Sequence, residues 1–189
     1  MLNSTIGIIG GGQLGSMLCS AAKKLGLKTI IISDDKDAPA QLFADEFVFC
    51  TYDNDNEIEK FCSKVDFITF EFENIPFSVL SNINNRKKIQ PKPSINKIVQ
   101  NRLSEKDFLN KNNIRTTSYI SIKSENELKS SNDFIPGILK TCTLGYDGKG
   151  QYKINTDEDL DNLKIKFDNE YILEKLVKLK KEISVIITR

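Results

Sequence analysis

The chain has 189 residues, a formal net charge of +1 and 39% hydrophobic residues, which suits one or two small globular domains and gives no reason to expect nucleic acid or an acidic membrane as partner. Histidine is absent, which removes Ser-His-Asp and Cys-His catalysis and histidine metal sites, and Cys19, Cys50, Cys62 and Cys142 have neither zinc nor redox spacing. No apolar run approaches the roughly 20 residues that span a bilayer, and the opening Met1-Leu2-Asn3-Ser4-Thr5 lacks the charged and apolar regions of a secretory signal, so a cytoplasmic chain is expected.

In chain order, TIGIIG is a short apolar strand leading into a glycine turn. QLGSMLCSAAKKLG has helical spacing, with Leu14, Leu18, Ala21, Ala22 and Leu25 on one face and Gly26 as its stop. KTIIIS and EFVFC read as strands, DNEIEKFCSKV as a helix, and DFITFEFE as a strand ending near Pro76. Strands alternating with helices predict a parallel sheet covered by helices. The segment NNRKKIQPKP, with two prolines, marks a boundary between residues 1–93 and 94–189. PSINKIVQNRLSEKDFLNKNNI then reads as one long helix with Ser94 at its N-cap. After it come the strand TTSYISI, a helix near SENELKSS, the strands GILKTC and QYKI around a glycine-rich loop, a helix near DEDLDNLKIKF, and the strands YILEKLV and EISVIIT. That second part is α+β with antiparallel character.

The glycines Gly10, Gly12 and Gly15 fit the G-x-G-x-x-G spacing after a strand and before a helix, and Asp34 lies about 20 residues past Gly15, as in dinucleotide-binding turns. A tight turn at a strand-to-helix corner also occurs in α/β domains that bind no nucleotide. The sheet part stops after about 90 residues, too soon for the two mononucleotide halves of a dinucleotide domain.

The second loop, in ILKTCTLGYDGKGQYKI, joins strand to strand and is therefore neither a Walker A loop nor a dinucleotide turn. Gly145, Gly148 and Gly150 form a flap whose amides suit phosphates, and Lys140 stands in the preceding strand as a point charge for an anion. The alternative is a hairpin with a surface lysine. Glu174-Lys175 interrupts an apolar strand, either to meet a base and sugar or as two solvated charges on an edge strand; Glu182 carries the same ambiguity.

GIIGGGQLGSML, DAPA, TFEFENIP, QNRLSEKDFL, LKTCTLGYDGKGQ, EKLV and KEISVI stand in an order that resembles the ATP-grasp enzymes of the carboxyaminoimidazole ribonucleotide synthetase family, through essentially the whole chain. The resemblance implies an α/β fold: a Rossmann-like pre-ATP-grasp domain that binds no dinucleotide, followed by part of an ATP-grasp α+β domain. It implies a purine-biosynthesis ligase that uses ATP, Mg²⁺ and bicarbonate to carboxylate aminoimidazole ribonucleotide through carboxyphosphate, and a homodimer at full length. By motif match, Arg102 and Lys140 would contact ATP phosphates, the flap Gly145, Tyr146, Asp147, Gly148, Lys149, Gly150 and Gln151 would close over them, Glu174, Lys175, Leu176 and Val177 would line the adenine, and Glu182 would hold its ribose. Gln13 and Leu14 would meet the ribonucleotide, with its phosphate near the helix N-terminus. Glu71 matches an acid that meets the same ligand, and Glu73 shares its face of the strand. Tyr146 and Lys149 would approach the reacting centre as catalytic groups; many relatives carry Arg where Lys149 stands, and lysine lacks the bidentate fork.

Members of that family continue for about as long again beyond the position of Arg189, where the Mg²⁺ ligands lie. No metal ligands are therefore assigned within these residues, and a truncated chain with little activity of its own is expected. Another ATP-grasp ligase or transformylase acting on a purine-pathway ribonucleotide is the nearest alternative, and an NAD-dependent oxidoreductase resting on the first loop a distant one.

Overall fold

The computed structural model describes residues 4–145 and 149–187. Four parallel strands, β1 (Thr5–Ile9), β2 (Lys28–Ser33), β3 (Glu46–Phe49) and β4 (Phe67–Phe70), form one sheet in the order β3-β2-β1-β4. Successive side chains point to opposite faces, so Ile9, Ile32 and Ile68 pack on one side with Ile58, Phe61, Leu80 and Ile83, while Ile8 and Ile31 pack on the other with Cys19 and Ala40. Each fully buried aliphatic chain of this kind contributes about 1.5–3 kcal/mol. The covering helices are α1 (Gln13–Lys24), α2 (Asp55–Lys64) and α3 (Phe77–Arg86).

Of the face predicted for the helix α1, Ala22 is buried while Leu14, Leu18, Ala21 and Leu25 are exposed. Gly15, Ser16, Cys19 and Ala22 meet the sheet, whereas Leu14 and Leu25 are 52% and 72% exposed. The turn from β1 brings the helix so close that a Cβ on Gly15 would stand 3.1 Å from the Gly10 carbonyl, and only small residues fit that approach. The helix α3 lies mostly in FSVLSNI, a stretch to which the sequence pattern assigns no element, and only its last turn enters the run NNRKKIQPKP; it buries Leu80 and Ile83, and Arg86 at its end pairs with Asp55 at 2.8 Å and Glu59 at 3.0 Å.

The expected long helix is two helices, α4 (Pro93–Val99) and α5 (Arg102–Lys111). Ser94 is not the cap: Pro93 occupies the first turn of α4 behind Lys92. The break follows from two side chains. Gln100 donates to the carbonyls of Glu73 and Ile75, tying the end of α4 to its own unit, and the side chain of Asn101 accepts from the Ser104 amide to start α5. The two compact units are accordingly Met1–Gln100 and Asn101–Arg189, with the division past the proline pair.

In the second unit β5 (Tyr119–Ile122), β6 (Gly137–Thr141), β7 (Gln151–Ile154) and β8 (Tyr171–Lys175) form an antiparallel sheet ordered β5-β8-β6-β7. Its core holds Ile122, Leu128, Leu139, Ile154, Leu160, Tyr171 and Leu173, with α6 (Glu125–Lys129) and α7 (Asp157–Asn162) contributing Leu128 and Leu160. β8 is a central strand, not an edge, and ends at Lys175. The strand expected over EISVIIT is not formed: residues 181–187 have no regular structure, and Ile186 is 90% exposed. A strand requires a neighbour for its backbone groups, and among the described residues none pairs with this stretch.

Candidate functional site

Each unit carries one arrangement of functional groups. In the first, β1 delivers the chain to Gly10, whose φ of +96° only glycine adopts without strain, and α1 begins behind Gly12. Phe70 pairs with Ile9 in the sheet, and the next amide, that of Glu71, donates to the Ile9 carbonyl, which sets Glu71 opposite Gly10. Its carboxylate turns into the glycine loop: Oε1 accepts from the Gly12 amide at 2.8 Å and Oε2 from the Gly15 amide at 3.0 Å. The amides expected to face a ligand phosphate are thus engaged by a carboxylate of the same chain. Gln13 and Leu14, between those amides, are exposed.

Glu73 is exposed, and its backbone carbonyl accepts from Asn96 and Gln100. Of the two acids in the FEFE run, the fold therefore brings Glu71 alone to the turn. Beside it is a cleft of about 220 Å³ whose lining includes Phe70, Phe72, Ile95 and Asn96. Asn96 donates its amide nitrogen to the carbonyls of Glu73 and Ile75, while its buried Oδ1 has no hydrogen-bond partner among the described residues. Sequence reasoning missed Asn96; nothing in its neighbourhood marks it until the fold buries it.

In the second unit, Glu174 on β8 stands in register with Ile138 on β6, so Lys140, two residues along β6, lies diagonally across on the same face. Lys140 Nζ donates to Glu174 Oε2 at 2.7 Å, and Lys106 Nζ of α5 lies 3.1 Å from Oε1. Lys106 also stacks its ammonium over the Tyr119 ring, 5.4 Å from the centroid. The side chains of Glu174, Lys106 and Lys140 are 9%, 14% and 20% exposed, so this is an internal cluster with a net positive charge. Burial alone would raise the Glu174 pKa. Hydrogen bonding and charge from Lys140, and then from Lys106, outweigh it and hold the carboxyl below its ordinary value. The anion that Lys140 lacked in its sequence neighbourhood is Glu174, and the solvated-edge alternative for Glu174 falls with its burial.

Lys106 was not singled out in the sequence, although its signal is there: it follows Arg102 at i,i+4, one turn along the same helix face. Arg102 donates to the carbonyls of Thr141 at 3.2 Å and Gly145 at 2.9 Å, and its amide to that of Cys142 at 2.9 Å, which fastens α5 to the base of the glycine-rich loop. The loop closes on Thr141 from both sides. The Thr141 amide donates to the Gly150 carbonyl at 2.9 Å, and a Cβ on Gly145 or Gly150 would lie 2.9 or 2.6 Å from Thr141 Oγ1. Burial, with the Glu170 charge behind it, pushes the Cys142 thiol up to about 11.

Lys149 is exposed at the loop's end and Gln151 opens β7. Tyr146, Asp147 and Gly148 lie outside the described residues. Lys175 is exposed and donates to the Asp133 carbonyl, the Leu176 amide donates to the Pro136 carbonyl, and Val177 is exposed beyond them. Glu182 is exposed in the irregular stretch and, among the described residues, joins none of the hydrogen bonds or ion pairs of the cluster. Asp34 is exposed just past β2.

Residues 3–100 match the family described as ribonucleotide synthetase preATP-grasp domain, and residues 107–189 match the ATP-grasp domain. The chain is 36% identical, over 98% of its length, to an N5-carboxyaminoimidazole ribonucleotide synthase of Staphylococcus aureus, and covers 50% of that protein. A crystal structure of N5-carboxyaminoimidazole synthetase from Staphylococcus aureus complexed with ADP superposes with a TM-score of 0.84 at 34% identity, over 94% of this chain and 48% of that one. The Aspergillus clavatus synthase complexed with ATP gives a TM-score of 0.80 at 27% identity, over 95% and 49%. The chain spans about half the length of the curated relatives it matches.

Proposed function

The chain belongs to the ribonucleotide synthetase family with a pre-ATP-grasp domain followed by ATP-grasp sequence, and we propose that it carries the nucleotide-binding face and part of the ribonucleotide-binding face of an ATP-dependent carboxylation of aminoimidazole ribonucleotide. The observation that carries this is the Lys106–Glu174–Lys140 cluster beside a glycine-rich loop whose base is held by Arg102. Bicarbonate attacks the γ-phosphate of ATP to give carboxyphosphate and ADP, and the carboxyl group passes to the substrate amine with release of phosphate.

In this scheme Lys140 turns from Glu174 to a nucleotide phosphate, while Lys106 keeps Glu174 ionised and in place to accept from the adenine amine. Arg102 has donors left beyond the two it gives to carbonyls. Lys175, Leu176 and Val177 frame the adenine, Glu182 holds its ribose, and Gly145, Gly150 and Gln151 bracket the phosphates. Tyr146, Asp147, Gly148 and Lys149 form the closing part of the flap, with Tyr146 and Lys149 nearest the reacting atoms. Gln13, Leu14 and Glu71 meet the ribonucleotide, and Glu73 is its second acidic neighbour. Catalysis is positioning and charge stabilisation. Among the described residues no group of three or more Asp, Glu, Cys or His is arranged to hold a metal ion, and none of them is assigned to the Mg²⁺ that accompanies ATP in ATP-grasp enzymes. No described helix is long and apolar enough to cross a membrane; a cytoplasmic location and, at full length, a homodimer belong to the same proposal, the dimer being checked by sedimentation of the full-length protein.

The test is ADP release with ATP, Mg²⁺ and bicarbonate, with and without aminoimidazole ribonucleotide, beside a nucleotide-binding titration. ATP binding that Lys140→Met abolishes supports the nucleotide face, and ribonucleotide-dependent ADP release supports the whole reaction. Binding of NADH in place of ATP overturns both.

A further inference from the structure

We propose that Glu71 is the built-in anion of the first glycine turn: a specificity-determining residue that fills the seat a phosphate would take and keeps phosphate and pyrophosphate off the Gly12 and Gly15 amides. A glycine turn opening a helix attracts anions because its amides converge and the helix dipole adds positive potential. Here both convergent amides donate to one carboxylate, at 2.8 and 3.0 Å. A phosphate entering the same place would have to displace Glu71 or lie against its negative charge, and neither amide has a second hydrogen to offer.

Three features place Glu71 there by construction. The sheet register sets it opposite Gly10, and its own amide is bound to the Ile9 carbonyl, so the backbone is fixed beneath the turn. The glycines are fitted to it: a Cβ on Gly10 would lie 2.6 Å from Glu71 Cγ, and one on Gly12 would lie 2.8 Å from Oε1. The turn is also braced from the far side by the Ala40 amide, which donates to the Gly11 carbonyl. In a dinucleotide turn, glycine at such positions admits the pyrophosphate. In this chain the same absence of side chains admits the carboxylate of the neighbouring strand. The phosphate of a ribonucleotide is therefore bound by groups other than these two amides. Nothing in this geometry depends on which nucleotide the second unit takes.

The experiment is an amide-resolved NMR titration of the 189-residue chain with inorganic pyrophosphate at low salt, for the natural sequence and for Glu71→Ala, Glu71→Gln and Glu71→Asp. In the natural chain the Gly12 and Gly15 amides stay unmoved and are protected from hydrogen exchange. In Glu71→Ala and Glu71→Gln they lose protection and shift saturably, with affinity at least about tenfold higher than in the natural chain. Glu71→Asp, which keeps the charge, continues to exclude pyrophosphate. Glu71→Gln keeps the side-chain shape and carries the test if the alanine variant does not fold. Saturable shifts of Gly12 and Gly15 in the natural chain overturn the proposal. So does a folded glutamine variant that gains no pyrophosphate binding, the result for a Glu71 that only braces the loop. Binding at the second unit moves amides around Lys140 instead and is read separately.

Discussion

Glu174→Gln keeps the shape of the side chain and removes the one negative charge between two ammoniums. At the observed separations of 2.7 and 3.1 Å, an effective dielectric constant near 20 gives gross attractions of about 6 and 5 kcal/mol, which desolvation of three ions offsets in large part. Taking away the shared partner strands two cations that are 14% and 20% exposed, and a stranded buried charge costs about 3–5 kcal/mol. Lys106→Met or Lys140→Met leaves Glu174 one cation, so each is expected to cost less, about 1–3 kcal/mol. The assay is urea unfolding followed by hydrogen exchange at the Leu173 and Lys175 amides, which report the second unit alone. The sign of the pH dependence follows from the lowered Glu174 pKa: its stabilisation is complete above the unfolded carboxyl value near ~4.3 and is lost as pH falls through the lower folded value. The gap between the natural chain and Glu174→Gln should therefore close below that range. Glu174→Gln costing less than about 1 kcal/mol, or less than either lysine variant, would refute an internal cluster held by its central charge.

Three further outcomes follow from the same unit. Arg102→Met removes the donors to Thr141 and Gly145; a loss of about 1.5–3 kcal/mol is expected from hydrogen bonds to a charged group, with faster proteolysis within residues 145–150. Gly150→Ala forces a side chain into φ +70° and a Cβ to 2.6 Å from Thr141 Oγ1, so it should destabilise by more than about 1 kcal/mol, read from the same unfolding curves. The buried Cys142 thiol, pushed to about 11, ionises later in the folded chain than in the unfolded one. Its contribution is intact below about pH 8.5 and lost as pH rises toward 11, so Cys142→Ala should flatten the alkaline limb of the stability curve.

The parallel sheet was legible because its strands are short β-branched runs between helix-period segments, and the antiparallel sheet because each strand is bounded by turn residues. The leucine pattern of α1 misled, since a glycine turn dictates a small-residue face and leaves Leu14 and Leu25 outside. The split at Gln100 and Asn101 was not legible: it depends on carbonyls of Glu73 and Ile75, far back in the sequence, that hold Gln100. Lys140 and Glu174 were each visible as a charge in an apolar strand, but their pairing needed the register of β6 against β8. Glu71 was marked by its place at the end of a strand. That its carboxylate would fill the glycine turn could be seen only once β4 lay beside β1.

The most direct measurement of the central claim is an amide-resolved titration of the whole chain with ATP. The account predicts saturable shifts at Lys140, Gly150 and Glu174, absent in Lys140→Met, with the Gly12 and Gly15 amides unmoved. Shifts at Gly12 and Gly15 with the β6 and β8 amides silent would contradict it, and would return the nucleotide to the first turn.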